Sequence, residues 1–178
     1  MRQTLKLTLL LFFCGCLLPH PVGAADSIET AGDVLALSIP VIAYGGTFCQ
    51  HDDEGRWQFY QSFFTNAAVT FGLKYTVDEK RPNGKKHSFP SGHTSASFQG
   101  AAFVHKRYGL EYALPMYLGA AFVGYSRVES DNHHPVDVLA GAVIGTLSSF
   151  YFTTPRGDLM VTPSAENGVY GITISKTW

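Results

Sequence analysis

The stretch His87–Phe103, "HSFPSGHTSASFQGAAF", sets a Pro-Ser-Gly-His turn directly before a run of small and apolar residues. Pro90 and Gly92 suit the turn, and Ser91 or Thr94 suits the cap of a helix beginning there. Capping accounts for every residue except His93. A histidine in the first turn lies beside the positive end of the helix dipole, which disfavours its protonated form. One such turn says little unless other anion-handling residues fall at matching places.

Outward from this turn the chain reads as five helices. The first runs from about Ile28 to Phe48, with Pro40 expected to kink it. The second, near Trp57–Tyr75, spaces Trp57, Phe59, Tyr60, Phe63, Phe64, Ala67, Ala68 and Phe71 by threes and fours, as a core-facing stripe should. The polar connection "DEKRPNGKKHSFPSG" leads into a third helix from about Gly92 to Tyr108. A fourth spans about Tyr112–Val128 and a fifth about Pro135–Phe152. "RYGLE" is a short link, so the third and fourth are expected as antiparallel neighbours. The tail "DLMVTPSAENGVYGITISKTW" has two β-like runs around Asn167-Gly168, a good hairpin dipeptide, and is expected to lie on the helical body. The fold class is thus an all-α bundle of about five helices with a small C-terminal β-hairpin.

Length and charge bound the function. The 178 residues suit one domain with a sizeable core, and a formal net charge of −1 gives no reason to expect a nucleic-acid partner. Arg2 and Lys6 precede the apolar run Leu7–Leu18, and small residues at Val22 and Ala24 follow, as in a secretory signal peptide. Cleavage after Ala24 takes the net charge from −1 to −3. The expected organisation is a signal peptide over 1–24, a helical domain over 25–155 and the hairpin tail over 156–178. A rival processing route, lipidation at Cys16, is disfavoured by Phe13 and Cys14 before it. Cys49 then has no partner for a disulfide, and its expected role is a small buried apolar side chain.

A membrane span needs about 20 mainly apolar residues. Gln58, Gln61 and Asn66 interrupt the second helix, Gln99 and His105 interrupt the third, and the loop around "QHDDEG" is acidic. These residues favour an exported, periplasmic protein, soluble or in peripheral membrane contact. The alternatives are an integral membrane protein with its site on the periplasmic side and a lipoprotein.

If consecutive helices run up and down, one end of the bundle gathers Lys74, Arg81, Ser91, Gly92, His93, Ser126, Arg127, His133 and Asp137. That set suits a tetrahedral oxyanion. Lys74, Arg81 and Arg127 carry positive charge, and each arginine can grip two oxygens. Ser91 and Gly92 open a helix, a ready-made anion site, and Gly92 lets the backbone approach. His133 and Asp137 are four apart at a helix start, so the carboxylate can fix the imidazole tautomer and free the other nitrogen for attack. His133 is the nucleophile candidate, and His93 the acid that protonates the leaving oxygen and later activates water. His134 is rejected as a rival nucleophile because helical spacing turns it towards Val138. His51 and His87 are expected to be loop residues, and His105 lies far from the site. Asp131 and Glu129 are expected in a solvated loop, and "HDDE" at His51–Glu54 lacks the partners a metal needs.

Lys74, six residues, Arg81-Pro82; "PSGH" at Pro90–His93; and Ser126-Arg127, five residues, His133, three residues, Asp137: this series resembles the three-part signature of the type 2 phosphatidic-acid phosphatase superfamily. That superfamily also holds bacterial class A acid phosphatases and vanadium haloperoxidases. The resemblance covers Lys74–Asp137 without a substitution, and more loosely the helices from Asp33 to Phe152. It implies a helical bundle and hydrolysis of phosphate esters, of small molecules or lipids, through a phosphohistidine, with no metal and no cofactor. It implies the roles already given to His133, His93 and Asp137. The alternative functions are a vanadate-dependent haloperoxidase, disfavoured by the short chain, and a non-catalytic envelope protein that binds lipid or phosphate.

Overall fold

A computed structural model describes residues 24–157, 159–166 and 169–176, the last two stretches by their backbone alone. Five helices follow one another: α1 (Ala24–Cys49), α2 (Asp53–Val77), α3 (Gly92–Tyr108), α4 (Leu110–Glu129) and α5 (Pro135–Phe152). The expected signal peptide and the cysteines at 14 and 16 fall outside the described residues, apart from Ala24, where α1 begins. The third and fifth helices have the expected bounds: Ser91 is the N-cap of α3, Pro135 is a favoured first residue for α5, and Gly109 ends α3 with a positive φ of 113°. Pro40 stands inside an unbroken α1.

α3 is the hub, packed on all four other helices. Two glycines let α5 cross it closely. A Cβ at Gly145 would stand 2.2 Å from the Ser95 carbonyl oxygen, and one at Gly141 would stand 2.5 Å from that of Ser91. Four residues apart, they form the small-residue face on which helix backbones meet.

The second helix is turned over relative to its expected orientation. Trp57, Phe64 and Phe71 are 64%, 64% and 57% exposed, and Phe59 is the buried aromatic of the stripe. Gln58, Ser62, Asn66 and Thr70, spaced by four, face inward instead. Their partners are polar groups of α3 and Thr154, just beyond α5. Gln99 donates to Ser62 Oγ at 2.9 Å, Ser95 donates to Asn66, Thr70 bonds Ser95 at 2.9 Å, and Gln58 donates to Thr154 at 2.9 Å. Of the polar residues that counted against a span, Gln58, Asn66 and Gln99 are therefore buried inside the bundle, while Trp57 and Phe64 look outward. Among the described residues, Asp26–Cys49 and Pro135–Phe152 are long and apolar enough to cross a membrane. The acidic connection is not a free negative patch either. Asp52 is buried, caps α2 by accepting from Gly55 N–H, and takes two bonds from Arg107, at 2.6 and 2.8 Å, and one from Tyr108. Burial alone would raise its carboxyl, but these bonds outweigh it and hold the group well below the usual carboxylate range.

Cys49, the last residue of α1, is exposed rather than buried. The tail residues Leu159–Glu166 (β1) and Val169–Lys176 (β2) pair antiparallel, from Leu159↔Lys176 to Glu166↔Val169. Among the described residues no helix packs against either strand.

The α3–α5 crossing makes a direct prediction. Gly145→Val should lower thermal stability in detergent by about 1–3 kcal/mol or more, because the clash is with backbone. Gly72→Ala, where the added Cβ meets nothing within 4 Å, should be neutral or stabilising. Equal effects of the two changes would contradict this packing.

Candidate active site

The alternation of helices brings the ends of α2 and α4 and the starts of α1, α3 and α5 to one end of the bundle. A cavity of about 420 Å³ opens there, and Lys74, Arg81, Gly92, His93 and His133 line it together with Asp33, Asn66 and Thr70. Its other wall is apolar, formed by Ala36 and Leu37 of α1 and Phe63, Ala67 and Phe71 of α2.

His133 precedes α5 and is 3% exposed, and its Nδ1 lies 3.4 Å from Asp137 Oδ2. Asp137 is fully buried. Its Oδ2 also accepts from the Ser88 hydroxyl at 2.5 Å and from the His134 N–H at 2.9 Å. With Nδ1 turned to the carboxylate, Nε2 is the imidazole atom left for a ligand. Burial, then the charges of Arg81 and Lys74, push His133 down to about 4, against the opposing pull of Asp137. The imidazole is therefore neutral at physiological pH and its free nitrogen holds a lone pair.

His134 sits closer to Asp137 than its sequence spacing implied. It is the N-cap of α5, so its backbone N–H reaches back to Asp137, and its ring Nδ1 is 3.5 Å from the same carboxylate. It is not among the cavity-lining residues. Glu79, His134 and Asp137 together offer three ligand atoms within 4.8 Å, the one such group among the described residues. It shares Asp137 with His133.

The cationic residues fall into two kinds. Arg81 lines the cavity, and its buried Nε has no partner among the described residues. Lys74 lines it too, but donates to the carbonyls of His87 at 3.0 Å and Pro90 at 2.8 Å, so it also holds the turn that places His93. Arg127 is 2% exposed and is not among the lining residues. Its Nη1 donates to Asp33 at 2.7 Å and its Nη2 to the Glu29 carbonyl at 2.8 Å. Ser91 is likewise committed. Its N–H donates to the Asp137 carbonyl at 3.0 Å and its hydroxyl bonds Thr94 at 2.9 Å. The next amides, from Gly92 onward, open α3, where helix geometry leaves N–H groups without an intrahelical acceptor. Ser126 is buried, bonded to the Val123 carbonyl and to Arg127. His93 is half-exposed, with Nε2 3.4 Å from Asp33 Oδ1.

Three further residues shape this site. Ser88 fixes Asp137, two residues before the Pro-Ser-Gly-His turn. Asp33 joins Arg127 and His93. Asn132 donates to Glu29 Oε1 at 2.8 Å and pins the connection before His133 to α1. The alternation that grouped the other helix ends also puts the start of α1 at this end, so Asp33 was within reach of the sequence. His87, expected as a plain loop residue, is partnered. It lies 3.1 Å from the Lys74 carbonyl and 3.2 Å from Asp78 Oδ1, and its ring meets Tyr75. His105 is at the far end of α3, as expected, 3.2 Å from the Tyr117 hydroxyl.

This arrangement of helices is shared with known proteins. The family model of the PAP2 superfamily matches residues 53–158, and the chain belongs to that superfamily. The match ends before the paired tail strands. A lipid A 1-phosphatase of Porphyromonas gingivalis is 36% identical over 96 residues, which is 47% of this chain and 22% of that protein. A lipid A 4'-phosphatase of Helicobacter pylori is 27% identical over 139 residues, 71% of this chain and 70% of that protein. The crystal structure of Aquifex aeolicus LpxE superposes with a TM-score of 0.64 at 21% identity, over 81% of this chain and 93% of that one. A transmembrane PAP2-type phosphatidylglycerolphosphate phosphatase from Bacillus subtilis gives a TM-score of 0.59 at 23% identity, over 76% of this chain and 77% of that one. The shared fold is the helical body.

Histidine NMR on the protein in detergent should show the His133 ring neutral down to about pH 4. Asp137→Asn should lower it further, since the carboxylate favours the charged form. A His133 midpoint near the ordinary value of about 6.5 would contradict the buried, cation-flanked environment.

Proposed function

We propose that this chain is a membrane-embedded phosphatase that hydrolyses lipid phosphates through a phosphohistidine on His133. One observation carries the reading: a single cavity has a reactive end, with His133, His93 and Arg81, and a greasy wall of Leu37, Phe63 and Phe71. The phosphate belongs at the first and an acyl or prenyl chain along the second. The lipid A phosphatases among the relatives support that substrate class.

His133 Nε2 attacks phosphorus as the ester P–O bond breaks, and His93 gives its proton to the leaving oxygen. Water then attacks phosphorus, the N–P bond breaks, and His93 takes the water proton. Asp137 orients His133 and stabilises its positive phosphorylated form. Arg81 and the first amides of α3 bind the equatorial oxygens, with Lys74 and Arg127 adding positive charge from the edge of the site. The cations supply the charge stabilisation that a metal would otherwise give. Inward-facing polar residues and outward-facing aromatics support embedding in a bilayer. The start of α1 lies at the active end, so export of the N-terminus, with cleavage after Ala24 and a catalytic body over 25–155, would put the site on the exported face.

Two measurements test this. Reactions with labelled nitrophenyl phosphate stopped in alkaline detergent, where the N–P bond survives, should trap phosphohistidine in wild type and in His93→Ala, and none in His133→Ala. Label retained in His133→Ala would exclude His133 as the nucleophile. Hydrolysis of a lipid phosphate should survive EDTA, and the protein should stay with membranes after alkaline carbonate washing. Activity lost to EDTA and restored by zinc or magnesium would contradict the metal-free reaction. Release by carbonate would contradict the embedding.

A further inference from the structure

Asp33 lies on α1, outside the signature blocks and outside the stretch the family model matches, and the reaction as written gives it no task. Its Oδ1 accepts from Arg127 Nη1 at 2.7 Å and lies 3.4 Å from His93 Nε2. It is half-exposed and lines the same cavity as His93 and His133. The close approach of its helix is built in. A Cβ at the preceding Gly32 would stand 2.0 Å from Ser126 Oγ and 2.7 Å from Arg127 Nη2, so a side chain there would push α1 off α4.

We propose that Asp33 is a positioning residue acting through His93: one carboxylate oxygen holds Arg127 and His93 together and supplies the counter-charge that the proton-bearing imidazole needs. This rests on the reading of His93 as the general acid. The charged and titratable groups facing His93 are Asp33 from α1, Lys74 from α2, Arg81 from the connection, Arg127 from α4 and His133 ahead of α5. Three of these are cations, and Asp33 is the anion among them. Without it, three positive charges would oppose a fourth on His93. A separation of 3.4 Å is a charge pair rather than a tight hydrogen bond, so the Nε2 proton stays available to a leaving oxygen. Asp33 itself neither gains nor loses a proton in either step.

The test compares wild type, Asp33→Asn, Asp33→Glu and His93→Ala as full-length proteins in detergent, on an alkyl phosphate and on nitrophenyl phosphate. An alkoxide needs a proton to leave, whereas nitrophenolate does not. Asp33→Asn keeps the size and an acceptor for Arg127 but removes the charge. Its loss on the alkyl ester should be on the order of 10–10²-fold, below the 10²–10⁴-fold that an acid itself contributes. Its loss on the nitrophenyl ester should be about tenfold smaller, and Asp33→Glu should recover part of the alkyl activity. Residual nitrophenyl turnover reports that each variant is folded. Equal losses on both esters, or no recovery with glutamate, would reduce Asp33 to a structural tether and overturn the proposal. A gain in activity with tighter inhibition by inorganic phosphate would overturn it in favour of a blocking anion. If wild type forms no phosphohistidine, or His93→Ala shows no leaving-group dependence, the underlying functional reading fails as well. A failure confined to the Asp33 variants leaves that reading standing.

Discussion

The carboxylate of Asp137 is the interaction on which the site depends. It is fully buried, and its Oδ2 gathers three neighbours: the Ser88 hydroxyl, the His134 N–H and the imidazole of His133. The backbone of the same residue accepts from Ser91 N–H. One residue therefore ties the start of α5 to the turn that opens α3, and the two proposed catalytic histidines stand on those two segments. Removing a partner from a buried charge of this kind costs about 3–5 kcal/mol, so loss of the carboxylate's partners and loss of geometry are expected together.

The rest of the bundle follows a second constraint. Its interior is partly polar and its surface largely apolar. Gln58, Ser62, Asn66 and Thr70 of α2 meet Ser95 and Gln99 of α3 and Thr154 beyond α5, while Trp57 and Phe64 look away. In water such an exterior would be a large exposed apolar surface, which soluble monomers rarely carry. In a bilayer it is the ordinary solution, because lipid offers no hydrogen bonds and polar groups must find one another inside. Gly141 and Gly145 serve the same end by letting α3 and α5 meet backbone to backbone.

Much of this was legible in the sequence. Gly92 and Pro135 announced α3 and α5, and alternation of the helices gathered Arg81, His93, His133 and Asp137 at one end. Hydrophobic periodicity found the stripe on α2 but not its surroundings, since a 3.6-residue stripe reads alike whether it faces a protein core or lipid. Gln58, Asn66 and Gln99, which favoured a soluble protein in the sequence, are buried inside the bundle and so carry no weight against a span. Spacing also misplaced His134, because the i,i+4 rule holds inside a helix and His134 is its cap, where the backbone turns back towards Asp137. Lys74, Ser91 and Arg127 were found as charges and donors. What sequence did not reveal is that their hydrogen bonds are already spent on neighbours, leaving Arg81 as the cation with a free face.

The central claim is that His133 Nε2 takes the phosphoryl group while His93 faces the departing oxygen. A structure of the protein with vanadate bound tests it most directly, because vanadate imitates five-coordinate phosphorus. Vanadium should be bonded to His133 Nε2, with an apical oxygen directed at His93 and equatorial oxygens against Arg81 and the first amides of α3. Vanadate held by charge alone, or bonded to His134 or any other residue, would contradict it.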